Sequence, residues 1–404
     1  MKQRKNYLNK LIGFKDKPFV KVITGMRRSG KSTILLLFQE YLLENNIKKE
    51  NIIYMNFESL KYIELSNYKS LYVYLNKRIT KEKCYILLDE IQNVEHWEKC
   101  VNSLLVDFDV DVYITGSNAY LLSSELSTLL SGRYVEIQMY PLSFQEYLDF
   151  NDLNEENIES KFEEYLKYGG FPAINTLEKK DDFIFSYLDD IYNSVIMKDV
   201  IERNNIKDVA LLQNLTEFMS QNIGNLISPK KISDYLNSSG QKTNHVTIDN
   251  YLKMLENAFI IYKVCRYDIK GKQLLKTLAK YYIVDTGIRN SIIGYRNSDY
   301  GSILENVVYF ELLRSGYKVT VGKNNDLEVD FIASNEREKI YIQVSSTIKE
   351  KSVLERELKP LINTFDNHTK WIITSDNVFL NSTDGIKYIN IIDFLLHRHS
   401  DIHS

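Results

Sequence analysis

Gly25-Met26-Arg27-Arg28-Ser29-Gly30-Lys31-Ser32 decides how the rest of the chain is read. It fits the pattern G-x-x-x-x-G-K-[ST] at every fixed position. A β-rich run, Phe19-Val20-Lys21-Val22-Ile23-Thr24, leads into it, and residues 33–43 after it are apolar and helix-forming. Strand, glycine loop and helix in that order turn the pattern into a phosphate site. The competing reading is a glycine turn that merely matches; the flanks argue against it. Gly25 and Gly30 let the backbone curl so that its N–H groups point inward at a β-phosphate. The helix starting near Lys31 adds the positive end of its dipole. Lys31 is expected at the β- and γ-phosphates and the Ser32 hydroxyl on Mg²⁺, with Gly25 to Ser32 and Thr33 forming the ATP cradle. Arg27 and Arg28 are cations within the loop whose side chains can face the phosphates or turn away.

A second chemical signal follows. Cys84-Tyr85-Ile86-Leu87-Leu88-Asp89-Glu90 is an apolar run without alternation that ends in two acids. Such a run suits a central parallel strand buried on both faces. Asp89 would orient Mg²⁺ through water, and Glu90 would polarise the water that attacks the γ-phosphate. A strand ending in acids at a solvated loop is the plainer reading, weakened by the phosphate loop upstream. Residues 110–115 read as the next strand, ending Thr115-Gly116-Ser117-Asn118. Asn118, with Ser117 second, is the candidate for touching the γ-phosphate or the water, against an equally serious reading as a helix N-cap. Arg133, before the fifth strand, is the candidate arginine finger, acting in its own chain or a neighbour's, with a surface salt bridge as the alternative.

Composition bounds the rest. The 404 residues, 44% hydrophobic and 26% charged, suit a multidomain globular protein. The formal net charge of −3 confines any polyanion-binding role to a local patch. Cys84, Cys100 and Cys265 lack metal spacing and fit reduced thiols in a cytoplasm. No run approaches the roughly 20 apolar residues of a membrane helix.

Five parallel strands, with the loop strand and the acid strand separated by another, give an α/β P-loop core of the additional-strand type. No N-K-x-D for guanine is found, which disfavours a GTPase. The loop, Asp89-Glu90, Thr115 to Asn118, Ser131-Gly132-Arg133 and Pro141-Leu142-Ser143-Phe144 together resemble a family of bacterial and archaeal AAA+ ATPases. The resemblance implies ATP and Mg²⁺ as cofactors, ATP hydrolysis as the activity and a C-terminal region of separate role.

Four segments are expected: the ATPase core at 1–163, a helical linker at 164–207, a winged helix at 208–293 and an α/β domain at 294–404. Tyr168-Gly169-Gly170-Phe171-Pro172 is read as a fixed turn that could serve as a hinge. Three helices and a β-hairpin make the winged helix, with 244–257 in the recognition position. Between Ser228 and Lys280 there are ten Lys or Arg against four Asp or Glu. That excess favours DNA as a partner, with a packing role against protein as the alternative; an oligomer is also allowed. The last segment, with Glu305, Asp330 and Gln343-Val344-Ser345, resembles the PD-(D/E)XK nuclease fold. Gln343 lacks the expected carboxylate and Ser345 the expected lysine, so a degenerate nuclease is expected, with Lys323 and Lys349 the nearest replacements by sequence.

Overall fold

Five short runs rich in β-branched and aromatic residues form one parallel sheet: β1 Val20–Thr24, β2 Ile52–Asn56, β3 Cys84–Asp89, β4 Val110–Gly116 and β5 Tyr134–Gln138. The computed structural model of the chain describes residues 2–119, 132–151, 157–364, 366–377 and 382–398. The strand order is β2-β3-β4-β1-β5, so β4 separates the glycine-loop strand from the acid strand, as the additional-strand core requires. Every residue of β1 and β3 is buried. Alternate side chains feed two cores. Val20, Val22, Ile86, Leu88, Val112 and Ile114 pack with helices Tyr68–Asn76 and Trp97–Asp107. Ile23, Tyr85, Leu87 and Tyr113 face helices Lys5–Gly13 and Lys31–Glu44 on the other side.

One polar exception sits in β1. Lys21 is fully buried; its ammonium donates to Asp111 Oδ1 and to the carbonyl of Lys17, while Asp111 Oδ2 accepts from Tyr113 Oη and the backbone N–H of Asp16. Burial pushes the lysine below its ordinary value, and Asp111 opposes the shift. Asp111→Ala would leave that ammonium unpaired and is expected to lower stability by about 3 kcal/mol. Urea unfolding of the variant measures it, and a loss under about 1 kcal/mol would contradict the assigned role.

The chain forms two compact units, residues 1–139 with 257–259, and residues 140–256 with 260–404. This differs from the sequence division at 163, 207 and 293, and hydrogen bonding gives the reason. The second unit holds a mixed eight-stranded sheet in the order β12-β13-β11-β10-β9-β8-β6-β7. Its strands are β6 Ile261–Asp268, β7 Gln273–Ile283, β8 Lys318–Asn324, β9 Leu327–Ser334, β10 Lys339–Ser345, β11 Thr369–Thr374, β12 Ser382–Thr383 and β13 Ile386–Asn390. The β6–β7 hairpin, expected to project as a wing, is joined to this sheet by parallel pairing of Arg266–Asp268 with Val321–Lys323. A bulge between Cys265 and Arg266 shifts its register, so that Arg266 faces Leu275 and Cys265 faces Ala279.

Asp285 holds the turn at Gly169-Gly170. Gly169 has φ 77°, and a Cβ there would lie 2.0 Å from Asp285 Oδ1. Asp285 Oδ2 accepts from the Gly170 N–H at 2.7 Å, and Oδ1 accepts from the N–H groups of Gly287 and Ile288 at the start of helix Thr286–Ile293. Within the helical linker expected at 164–207, Asp181–Val195 is α-helical and continues as a π turn over Ile196–Glu202. Among the described residues, no helix is long and apolar enough to cross a membrane. Ser131, used above for the arginine motif, lies outside the described residues.

Candidate nucleotide site

The glycine loop follows the C-terminal end of β1 and enters helix Lys31–Glu44. Gly25 has φ 140°, and a Cβ on it would fall 2.1 Å from the Met139 carbonyl oxygen, so a side chain cannot be accommodated there. Gly30 caps the helix with φ 102°, in the left-handed region. Met26 and Ser29 are buried, Arg28 is exposed, and Arg27 turns away to pair with Glu58 at 3.1 Å. Ser32 is half-buried and Thr33 exposed. The buried Lys31 ammonium donates to the carbonyls of Gly25 and Met26, each at 3.0 Å, and stands 3.9 Å from Glu90 Oε1.

Parallel strands end on the same side, so the acids of β3 arrive beside the loop. Asp89 is fully buried and meets four side chains. Thr115 Oγ1 donates to its Oδ1; Tyr54 Oη and Asn56 Nδ2 donate to its Oδ2 at 3.0 and 2.8 Å; the Ser32 hydroxyl lies near enough to favour its charged form. Burial pushes the Asp89 carboxyl above its ordinary value, and the hydroxyls of Thr115 and Ser32 pull against that shift. Glu90 follows in a left-handed conformation, φ 55°. Its N–H donates to Thr115 Oγ1 at 2.9 Å, and its Oε2 accepts from Gln92 Nε2. A hydroxyl and a buried carboxylate in mutual contact are hard oxygen donors and fit a magnesium ion.

Set beside known proteins, residues 17–148 match the family model described as an AAA domain, and residues 159–299 match a domain of unknown function, DUF8612. An uncharacterized protein of Haemophilus influenzae is 44% identical over 98% of this chain and 99% of its own length. The chain belongs to its family, an AAA family of P-loop ATPases. An uncharacterized protein of Methanocaldococcus jannaschii is 33% identical over 84% of this chain and 77% of its own length. A Walker-type ATPase of Pyrococcus abyssi shares the fold, with a TM-score of 0.52 and 14% identity over 72% of this chain and 96% of that one.

Within this AAA family member, the structure brings Lys31, Ser32, Asp89 and Glu90 together and leaves Arg133 apart. Arg133 is exposed, and its carbonyl accepts from Val20 N–H, where β1 begins. The glycine loop lies at the other end of that strand, about 13 Å on at roughly 3.3 Å per residue, so Arg133 does not reach a phosphate held by its own loop. On that spacing the reading in which it serves a neighbouring molecule is the one carried forward. Ser117 and Asn118 are both fully buried just beyond β4. The residue of β4 that holds both acids is Thr115, which sequence reasoning passed over; its position at the strand end next to the acid strand was the available signal. Arg4 was also missed: it is buried, lies 4.5 Å from the Tyr7 ring centroid and donates to the Ser29 carbonyl at 3.0 Å.

Proposed function

We propose that the first unit binds ATP and hydrolyses it. One observation carries the reading: Lys31, Ser32, Asp89, Glu90 and Thr115 converge at a single end of the sheet. In this reading the loop N–H groups and the Lys31 ammonium bind the phosphates, and Lys31 exchanges its two carbonyl partners for phosphate oxygens. Ser32 and Asp89 would hold Mg²⁺, which neutralises charge on the β- and γ-phosphates when bound. Glu90 orients the attacking water and takes its proton. Thr115 fixes the Glu90 backbone while bonding to Asp89, so the two acids keep one spacing. Asn118 remains the candidate for the γ-phosphate side, and Arg133 for a neighbouring molecule's nucleotide. Steady-state phosphate release, lost on chelation of divalent cations, tests the assignment; nucleotide binding with no turnover would instead favour a slow ATP-binding regulator.

DNA is the proposed partner of the second unit, on a separate observation. Helices Val209–Gln221, Pro229–Ser238 and His245–Asn257 are followed by the β6–β7 hairpin, and Ile227, between the first two helices, bridges to Ala279 of β7. That is the connectivity of a winged helix, with His245–Asn257 in the recognition position. Lys270 and Lys272 are exposed at the hairpin tip. The basic excess is smaller than the raw count, because Lys280 is buried and Lys253 pairs with Asp249 at 2.7 Å. Duplex binding is expected to weaken steeply with salt, and Lys270→Glu with Lys272→Glu to weaken it about tenfold whatever the sequence. Fluorescence anisotropy on a labelled duplex measures both. No binding at low salt would return the three helices to a packing role.

A further inference from the structure

The C-terminal sheet carries acids that its nuclease-like resemblance would assign to a metal. Glu305 lies on helix Tyr300–Arg314, beyond its first turn rather than at its start, and Glu328 and Asp330 lie on β9. Neither Lys323 nor Lys349 joins them; Lys349 is exposed and stands 3.5 Å from Asp376. The cation that does is Lys280 of β7, two residues beyond Leu278, which sits at φ 61° in the bulged part of the hairpin. The Lys280 side chain is 3% exposed, and its Nζ lies 2.8 Å from Glu305 Oε1, 2.8 Å from Glu328 Oε1 and 3.0 Å from Asp330 Oδ1.

An ammonium has three protons, and here three carboxylate oxygens face them. Burial opposes its charge, and Asp330, Glu305 and Glu328 outweigh burial, so the lysine is held well above its ordinary value. The surrounding donors are committed too. Asp330 Oδ2 accepts from the Val344 N–H at 3.0 Å. Gln343 Oε1, the oxygen a metal would need from this strand, accepts from the Asp330 N–H at 2.8 Å, and its Nε2 donates to Glu357. The Ser345 hydroxyl donates to the Thr347 carbonyl, and Tyr282 Oη donates to Glu305 Oε1 at 2.6 Å. These residues do not fit a divalent ion while Lys280 stands among them.

We propose that Lys280 is the resident cation of this cluster: its ammonium takes the place a divalent metal would need and clasps β7 to helix Tyr300–Arg314 and β9. The protein without the clasp should then show what the lysine conceals, since three carboxylates freed of their cation form a hard-oxygen site.

The test is Mn²⁺ titration of the full chain without nucleotide, followed by calorimetry and by thermal unfolding. Wild type and Asp330→Asn are expected to bind the same number of Mn²⁺ ions. Lys280→Gln is expected to melt lower, to gain one further Mn²⁺ site, to regain its melting temperature with Mn²⁺, and to lose that site again in Lys280→Gln with Asp330→Asn. A wild-type Mn²⁺ site that Asp330→Asn removes would overturn the proposal, as would Mn²⁺-dependent DNA cleavage abolished by Asp330→Asn. A folded Lys280→Gln variant with no additional site would overturn it equally. If Lys280→Gln does not fold even with Mn²⁺, the triple variant Lys280→Met, Glu305→Gln, Asp330→Asn removes the cation together with two of its three carboxylates and is expected to fold; the comparison of wild type with Asp330→Asn then decides.

Discussion

Glu90→Gln is expected to retain ATP and hydrolyse it at one-hundredth of the wild-type rate or less. Glutamine keeps the shape of the side chain and can still accept from Gln92, and the backbone bond to Thr115 is untouched. What disappears is the capacity to take a proton from water, and general-base catalysis of this kind contributes about 10²–10⁴ in rate. Affinity should hold or rise, because the carboxylate 3.9 Å from Lys31 no longer competes with phosphate for that ammonium. Phosphate release gives the rate and fluorescent-nucleotide anisotropy the affinity. Turnover at the wild-type rate would remove Glu90 from the mechanism and move the search for a base to other side chains around Asp89.

Lys31→Ala should act earlier, on binding itself. The ammonium is buried at the entry of helix Lys31–Glu44, and no acidic residue stands in that helix's first turn, so the local field favours an anion. Two charge-assisted bonds to phosphate, at about 1.5 kcal/mol or more each, come to roughly 3 kcal/mol, which is about a hundredfold in affinity. The same substitution removes the bonds to the carbonyls of Gly25 and Met26. A melting curve without nucleotide separates damage to the loop from loss of the phosphate contact. ATP binding within a few-fold of wild type in the folded variant would contradict the role given to Lys31.

The parts of this molecule that could be read from sequence are those whose physics is local. Gly25 to Ser32 is contiguous, and its glycines answer to backbone geometry within the same turn. The apolar run to Asp89 announces a strand buried on both faces, and it is one. The capping box of Ser143 and Glu146, three residues apart, opens helix Phe144–Phe150. Partners set by strand register are another matter. Thr115 meets Asp89 because β3 and β4 are neighbours in a particular alignment, and nothing within either strand states the offset. Arg133 could not be assigned to its own chain or a neighbour's for the same reason: its distance from the loop depends on which end of β1 it pairs with. Lys280 was counted with the surface cations of a wing, because its three acids lie 25, 48 and 50 positions away and only the bulged hairpin delivers it to them. The hairpin itself was legible, whereas its pairing with β8 depends on a strand more than fifty residues further along. The two-residue strand β12 is too short to show alternation.

β2 is an edge strand of the five-stranded sheet and, among the described residues, pairs only with β3. It also supplies Tyr54 and Asn56, which hold one oxygen of Asp89. The acid assigned to the metal is therefore steadied from the margin of the sheet, where backbone N–H and C=O groups face outward and a foreign strand or an added force takes hold most easily. Two residues beyond β2, Glu58 pairs with Arg27 of the glycine loop, so this edge touches both the acid and the loop. The edge of this sheet is thus tied by side chains to the acid of the neighbouring strand.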